Sequence, residues 1–239
     1  MALGDRKYMS QTTARQGVGV DEGLRAYMLG VYNYMALAMG ITGLVAFATS
    51  TSPEMIQVIY GTPLKWVVML APLGFVFFLS ARIHKMAAST AQLTFWVFAA
   101  VMGLSLASIF LAFTGESVAK VFFITAGAFA GLSLLGYTTK KDLSGFGTFL
   151  FMGLIGIIIA SIVNAFLASS ALGFAISIIG VLVFTGLTAY DTQQIKDMYS
   201  VSDDGTVAGR KAIMGALRLY LDFINLFLML LRLFGQSRE

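Results

Sequence analysis

The sequence has no cysteine, one histidine (His84), three prolines and few charges, with Asp, Glu, Lys and Arg making up 12% of its 239 residues. Without cysteine the chain cannot form disulfides, thiolate metal sites or a cysteine nucleophile. A single histidine excludes a histidine-rich metal site, and we expect no cofactor. The net charge of +4 is small and spread over several connecting segments, so it predicts no nucleic-acid partner.

Apolar residues are abundant: they make up 58% of the chain, and the mean hydropathy is +0.83. This composition is typical of a membrane protein with several spans. In the fourth apolar run, the GxxxG pair Gly127 and Gly131 predicts close helix packing. Each run is long enough to cross a bilayer as a helix, which takes about 20 residues. The seven runs are 29–49, 64–81, 92–113, 118–137, 147–167, 173–190 and 213–234.

These runs predict an all-α membrane protein with seven transmembrane helices, joined by short connections and therefore packed antiparallel. We divide the chain into a cytoplasmic N-terminal arm (1–28), a seven-helix transmembrane domain (29–235) and a C-terminal tail (236–239). The arm is polar and lacks an apolar core, so it is not typical of a signal peptide.

The distribution of Lys and Arg predicts a cytoplasmic N-terminus, because cytoplasmic loops carry an excess of these residues. In that orientation the outer side holds only Lys65 and Lys120 before the seventh run. If the seventh run crosses the membrane, the C-terminus lies outside; if it dips in and returns, Arg232 and Arg238 lie inside. The bias is the same in both cases. The cytoplasmic side holds Arg6, Lys7, Arg15, Arg25, Arg82, Lys85, Lys140, Lys141, Lys196, Arg210 and Lys211.

The seventh run, Ile213 to Phe234, carries four polar side chains at steps of four, three and seven residues. This spacing places them on one stripe of a helix. A charge that faces lipid costs about 2.5 kcal/mol or more, so the stripe must face protein or water. We therefore predict that the seventh helix is central and that the other six surround it. The four residues are Arg218, Asp222, Asn225 and Arg232.

Asp191 and Asp222 are the candidates for a functional site. Asp191 lies near the cytoplasmic end of the sixth run, and Asp222 lies about 13 Å into the seventh at 1.5 Å per residue. The two helices are consecutive and enter the membrane from the same side, so the two carboxyl groups can meet. Two carboxylates in a poorly solvated place cannot both ionise cheaply, and they can share a proton. Such a pair would respond to pH and would offer oxygen ligands to a hard cation such as Ca²⁺.

Each candidate residue also has a simpler interpretation. Asp191 can be a solvated residue at a helix end, and Arg218 can neutralise Asp222 from four positions earlier on the same helix. Arg82, which ends the second run, can anchor that helix on the cytoplasmic side or hold one of the aspartates by a charge-assisted hydrogen bond. The acidic residues of the polar segment 201–209 are expected to belong to a solvated turn.

An intramembrane aspartyl protease is the enzyme alternative, since those proteases pair a Tyr-Asp on one helix with an Asp on the next. Tyr190 and Asp191 fit the first half of that pattern. The segment before Asp222 reads Leu-Tyr-Leu, in place of the Gly-x-Gly of those proteases. Their Pro-Ala-Leu is also missing, because no proline follows Pro72. We therefore expect that the protein is not an enzyme.

Three segments resemble the Bax inhibitor-1 family, also called the transmembrane Bax inhibitor motif family, and they occur in the right order. They are GYTTKKDLSGFG at 136–147, GLTAYDTQQIKDM at 186–198 and LYLDFINLFLMLLRLFG at 219–235. The resemblance implies six helices around a central seventh. It also implies a pH-sensitive Ca²⁺ leak gated by an aspartate pair, which falls on Asp191 and Asp222 here.

The resemblance implies a latch and a location as well. An arginine of the second helix holds the first aspartate in the family, and Arg82 stands at the matching position. The short polar N-terminus is similar to the bacterial branch, which implies the inner membrane. Some bacterial members bind and modulate a membrane-bound AAA protease, so a non-conducting regulator of such a protease is the alternative function. One departure weakens the expectation of a second cation site: residues 64–81 contain no Asp or Glu, whereas some relatives have a carboxylate there. The resemblance specifies no oligomeric state.

Overall fold

The fold was analysed in a computed structural model, which describes the backbone of residues 4–238 and the side chains of residues 22–238. The described chain is helical almost throughout, and its only β-pairing is an isolated bridge between Phe113 and Ser237. The helices are α1 (Gly4–Ser50), α2 (Pro53–Tyr60), α3 (Leu64–Arg82) with a 3-10 turn at Ile83–Lys85, α4 (Ala88–Leu106), α5 (Ile109–Ala112), α6 (Gly115–Thr138), α7 (Ser144–Leu167), α8 (Ser170–Asp197) and α9 (Gly205–Phe234).

Seven stretches are long and apolar enough to cross a membrane, which confirms the seven predicted spans. Their bounds exceed the apolar runs by a few residues at most ends, since helices continue into polar flanks that hydropathy does not mark. The stretches are Glu22–Ser50, Leu64–Lys85, Ala88–Ala112, Gly115–Thr138, Ser144–Leu167, Ser170–Asp197 and Gly205–Phe234.

The N-terminal arm expected at 1–28 is helical from Gly4, because α1 begins there and continues without a break into the first span. Residues 1–3 of that arm lie outside the described residues, and of residues 4–21 only the backbone is described. Most of the predicted arm is therefore the first part of α1.

Polar side chains start several of the helices by accepting a hydrogen bond from a free backbone N–H. Thr114 caps α6, Ser169 caps α8 and Asp204 caps α9, each through the N–H three residues later. An N-cap of this kind stabilises a helix by about 1 kcal/mol. The Asp204 cap explains why α9 begins at Gly205, eight residues before the seventh apolar run.

The last helix, α9, is the most buried of the seven spans. In its apolar 18-residue window 72% of the residues are buried, against 11–39% for the other spans. It packs against α1, α4, α6 and α8, while α3 packs on α4 and α7 packs on α8. Four helices thus form the immediate wall of α9, and α3 and α7 lie mainly on the outside of that wall.

Tyr220 fixes the rotation of α9 against α1 and α4. Its side chain is fully buried, and its hydroxyl group is 2.7 Å from Thr42 Oγ1, which donates to the carbonyl of Ala99 (2.9 Å). The rings of Phe95 and Phe98 meet Tyr220 edge-on, with centroids 6.1 and 5.3 Å away. A buried hydroxyl held in this way sets the direction in which the opposite side of α9 points.

The α9 helix crosses the whole bundle, which answers the question left open by the charge distribution. Its 30 residues form one helix of about 45 Å. Near its start, Arg210 donates to the carbonyl of His84 (2.6 Å), beyond the end of α3. After its end, the backbone N–H of Thr114 donates to the carbonyl of Gln236 (3.0 Å), between α5 and α6. Because a full span, α4 with α5, separates these two connections, the two ends of α9 lie on opposite faces.

Candidate functional site

The candidate site lies between α8 and α9, which are consecutive and antiparallel. Asp191 is six residues before the end of α8, or about 9 Å along the helix. Asp222 is 17 residues after the start of α9, or about 26 Å. The 13 Å predicted from the sequence was too short, because α9 begins at Gly205 and extends past the end of α8.

The carboxyl groups of Asp191 and Asp222 lie close enough together for the charge of each to act on the other. Both side chains are buried, at 9% and 5% exposure. Among the described residues, no N–H or O–H donor reaches Oδ2 of Asp222. A hydrogen bond between two carboxyl groups requires a proton on one of them, since two ionised carboxylates are both acceptors. The two carboxyl groups can therefore bond directly only in a state that holds at least one proton.

Arg218 is the cation whose charge acts on both aspartates. Its side chain is exposed, and within residues 22–238 no ion pair joins it to Asp222. Arg218 therefore acts on Asp222 through its charge, as the sequence allowed, but not through a direct ion pair. The interpretation of Asp191 as a solvated helix-end residue is wrong, because the residue is buried against α9.

A chain of hydroxyl groups fixes α8 beside Asp191. The Oγ1 atom of Thr192 donates to the carbonyl of Thr188 (2.7 Å) and lies 2.9 Å from Oγ of Ser133 on α6. Ser133 Oγ lies in turn 2.7 Å from the hydroxyl group of Tyr32 on α1. The three helices α1, α6 and α8 are thereby tied together at the level of the aspartate pair.

Gln193 ties the same part of α8 to the connection between α6 and α7. Its Nε2 donates to the carbonyl of Lys141 (2.9 Å), and its Oε1 accepts from the N–H of Leu143 (2.8 Å). This contact lies within the segments GYTTKKDLSGFG and GLTAYDTQQIKDM. The sequence marked both segments but gave no sign that they touch.

A close helix contact occurs at Gly136, where a Cβ would collide with the carbonyl oxygen of Ala189. This contact packs α6 against α8 two residues before Asp191. The predicted contact of the GxxxG pair is wrong, because Gly127 and Gly131 have open space where a Cβ would point. The spacing of Gly127 and Gly131 shows that both lie on one face of α6, but it does not show which face of α6 packs against another helix.

The other predicted site residues do not join the pair. Asn225 donates to the carbonyl of Leu221 on its own helix (2.8 Å), and Arg232 is exposed in the last turn of α9. Arg82 is exposed at the end of α3, and in the described part of the chain it forms no ion pair. Of the predicted polar stripe, Asp222 therefore lies in the site, Asn225 bonds within its own helix and Arg232 lies at the end of the bundle.

The acidic residues near the connection between α8 and α9 have structural partners. Lys211 Nζ is 2.6 Å from Oδ2 of Asp203 and 2.9 Å from the carbonyl of Met198. The Oδ1 atom of Asp204 accepts from the N–H of Val207 (2.8 Å) and caps α9. The expected solvated turn is therefore an organised connection.

Outside the membrane spans, the backbone and side chain of Ser144 hold the pKa of Asp142 below its usual value by hydrogen bonding to its carboxylate. Asp142 therefore stays ionised near neutral pH and adds nothing to a response in that range.

The pair can contact a cation but does not form a complete metal site. A protein site for Ca²⁺ takes six to eight oxygen ligands. In the part of the chain that the structure describes, no group of three or more His, Cys, Asp or Glu side chains could hold a metal ion. A Ca²⁺ ion at Asp191 and Asp222 would therefore need further oxygen ligands.

Comparison with known proteins shows the family to which this chain belongs. The family model described as "Inhibitor of apoptosis-promoting Bax1" matches residues 24–239. The chain belongs to the Bax inhibitor-1 family. Bacterial relatives match over nearly their whole length: an uncharacterized protein of Rickettsia prowazekii is 47% identical over 228 residues, covering 95% of this chain and 97% of the relative.

One bacterial relative is named for its location in the inner membrane. The inner membrane protein YbhL of Escherichia coli K12 is 47% identical over 219 residues, covering 90% of this chain and 94% of YbhL. An uncharacterized protein of Caulobacter vibrioides is 48% identical over 235 residues, covering 94% of each chain. The matches confirm the resemblance drawn from the three segments, and with the seven spans they make this a multi-pass membrane protein of the family.

Proposed function

We propose that the protein is a pH-sensitive Ca²⁺ leak of the bacterial inner membrane, gated by the contact between Asp191 and Asp222. The observation that supports the proposal is that two buried carboxyl groups lie close together on adjacent helices, one of them on the most buried span. The location is supported by the similar protein YbhL, which is named an inner membrane protein. The excess of Lys and Arg favours a cytoplasmic N-terminus.

The shared proton keeps the leak closed by tying α8 to α9. When the proton leaves, both carboxylates are negative, and at an effective dielectric constant of 20 and a separation of 4 Å they repel by about 4 kcal/mol. Repulsion of that size can shift a two-state element whose states differ by a few kcal/mol. Loss of the proton therefore favours separation of the helices and flux, so flux rises with pH.

Arg82 is the proposed partner of Asp191 in the open state. It is exposed at the end of α3 and free of ion pairs within residues 22–238, so it is available for a charge-assisted hydrogen bond. Arg218 supports the same step, because a nearby cation makes the deprotonated pair less costly. In this proposal the pair binds and releases a proton and forms no covalent intermediate, and Ca²⁺ is the permeant ion and not a resident cofactor.

The test is Ca²⁺ influx into dye-loaded proteoliposomes at pH 6 and pH 8. We expect the wild-type flux to be at least about tenfold higher at pH 8, which corresponds to 1.4 kcal/mol, and the Asp222→Asn variant to lose most of that ratio. Asp203→Asn is the matched control, since it makes the same chemical change at the connection between α8 and α9, and it should behave as the wild type.

Two outcomes would contradict the proposal. An Asp222→Asn variant with an unchanged pH ratio would remove the pair from the mechanism. A wild-type protein with no flux above empty liposomes at either pH would favour the alternative, a non-conducting regulator of a membrane-bound AAA protease.

A further inference from the structure

An apolar groove with a volume of about 1100 Å³ runs between α1 and α6. Its floor is the face of α9 formed by Phe223, Ile224 and Phe227. The hydrogen bond between Tyr32 and Ser133 (2.7 Å) joins the two walls. The groove therefore reaches as far as the most buried helix of the bundle, although the three α9 side chains of its floor are themselves buried.

The groove is as tall as the hydrocarbon core of a bilayer. On α1 its lining extends from Arg25 to Ala46, a rise of about 32 Å, and the hydrocarbon core is about 30 Å thick. One acyl chain spans about half of that thickness, so a lipid of one leaflet fills the half next to Arg25. The α1 lining of that half includes Met28, Leu29, Tyr32 and Met35.

The rim at this end of the groove is cationic. Arg25 is the one charged residue in the described lining. On the facing wall, Tyr137 lines the groove, and Lys196 Nζ donates to its carbonyl (2.9 Å) and lies 5.7 Å from its ring. Lys140 and Lys141 follow the C-cap residue of α6 and are exposed.

Carboxylates do not cancel this charge within residues 22–238. Glu22 and Asp142 are the acidic residues nearest in sequence to the two walls, and both are exposed. The Asp142 carboxylate is already occupied by the N–H of Ser144 (2.8 Å), and neither carboxylate forms an ion pair in these residues. A third exposed carboxylate, Asp197, follows Lys196 on α8, and it forms no ion pair in the described residues. Four cations thus stand against three carboxylates at this end of the groove.

We propose that the groove binds an anionic phospholipid of the phosphatidylglycerol class, with one acyl chain between α1 and α6 and the phosphate at Arg25. A guanidinium group matches a phosphate because it can donate two parallel hydrogen bonds. A choline or ethanolamine headgroup would bring its own ammonium into the cationic rim, whereas a glycerol headgroup brings none. The site is independent of the proposed leak, since it requires no flux and no titration.

The test is native mass spectrometry of the purified full-length protein with phosphatidylglycerol or phosphatidylcholine added at equal concentration. We expect the wild type to retain one phosphatidylglycerol with at least about a tenfold preference, equivalent to 1.4 kcal/mol. Ala36→Trp places an indole in the groove and should abolish this binding. Leu37→Trp is the matched control, because Leu37 is 57% exposed and does not line the groove, and it should bind as the wild type.

Two further variants keep the test independent of folding defects. Ala130→Trp fills the groove from the α6 wall and should also abolish binding, and each variant is compared by size-exclusion chromatography. Arg25→Gln should still bind lipid but lose the preference for phosphatidylglycerol. Retention of the lipid by both tryptophan variants would overturn the location, and equal binding of the two lipids by the wild type would overturn the role of Arg25.

Discussion

Two acidic sites lie on the α8–α9 hairpin, and the protein compensates their charge in different ways. At the connection, Asp203 is partly exposed and meets the ammonium group of Lys211 at 2.6 Å. In the interior, Asp191 meets Asp222, while Arg218 acts on both without forming an ion pair. The first carboxylate is balanced by the cation of Lys211, and in the proposed closed state the second pair is balanced by a shared proton. Only the balance made with a proton depends directly on pH.

The contact between α6 and α8 gives the largest expected effect on stability. Gly136→Ala puts a methyl group against the backbone carbonyl of Ala189, which we expect to destabilise the protein by about 1 to 3 kcal/mol. Gly131→Ala, on the same helix but with open space at its Cβ, should be neutral or stabilising by about 0.5 to 1 kcal/mol. Thermal unfolding in detergent measures both. Equal midpoints for the two variants would show that Gly136 does not set the position of Asp191.

Replacement of Arg218 tests how its positive charge acts on Asp191 and Asp222 without a direct ion pair. Without this cation the doubly ionised pair is more costly, so the pH at which flux reaches half its maximum should rise by about 1 unit in Arg218→Gln. The pH profile of flux in proteoliposomes gives the midpoint. Arg232→Gln is the control on the same helix and should leave the midpoint unchanged. A midpoint that falls in Arg218→Gln would contradict the sign of the effect.

The ion pair at the connection should have the smallest effect. Loss of the Asp203 carboxylate in Asp203→Asn should cost about 1 kcal/mol or less of stability, because Lys211 remains partly exposed and keeps its hydrogen bond to the carbonyl of Met198. The pH ratio of flux should not change. A variant in which the ratio collapses, as predicted for Asp222→Asn, would remove the distinction between the two acidic sites.

The sequence predicted the seven membrane-spanning helices well, because they depend on local patterns of hydropathy. Hydropathy marked seven spans, and the chain order of Asp191 and Asp222 brought them to one side of the membrane. The start of α9 was missed because its first turns, from Gly205, are too polar for a hydropathy run and depend on the cap at Asp204.

Other features required the packing of helices that are distant in the chain. The close contact at Gly136 and the hydroxyl chain from Tyr32 to Thr192 depend on which helix faces meet, and spacing within one helix does not encode that. The same limit applies to the cations of the site. The sequence named both Arg82 and Arg218, and the fold was needed to show that the charge of Arg218 acts on both aspartates. A tyrosine within an apolar run, such as Tyr220, was a signal that sequence reasoning could have used, because a buried hydroxyl needs a partner.

The most direct test of the account is whether the aspartate pair holds a proton that leaves as the pH rises. Infrared difference spectroscopy between pH 6 and pH 8 detects the carbonyl stretch of a protonated carboxyl group in the membrane-embedded protein. We predict a band that is present at pH 6, lost at pH 8 and absent at both values in the double variant Asp191→Asn/Asp222→Asn, while Asp203→Asn retains it. A wild-type spectrum without that band, or a band that persists in the double variant, would contradict the shared proton.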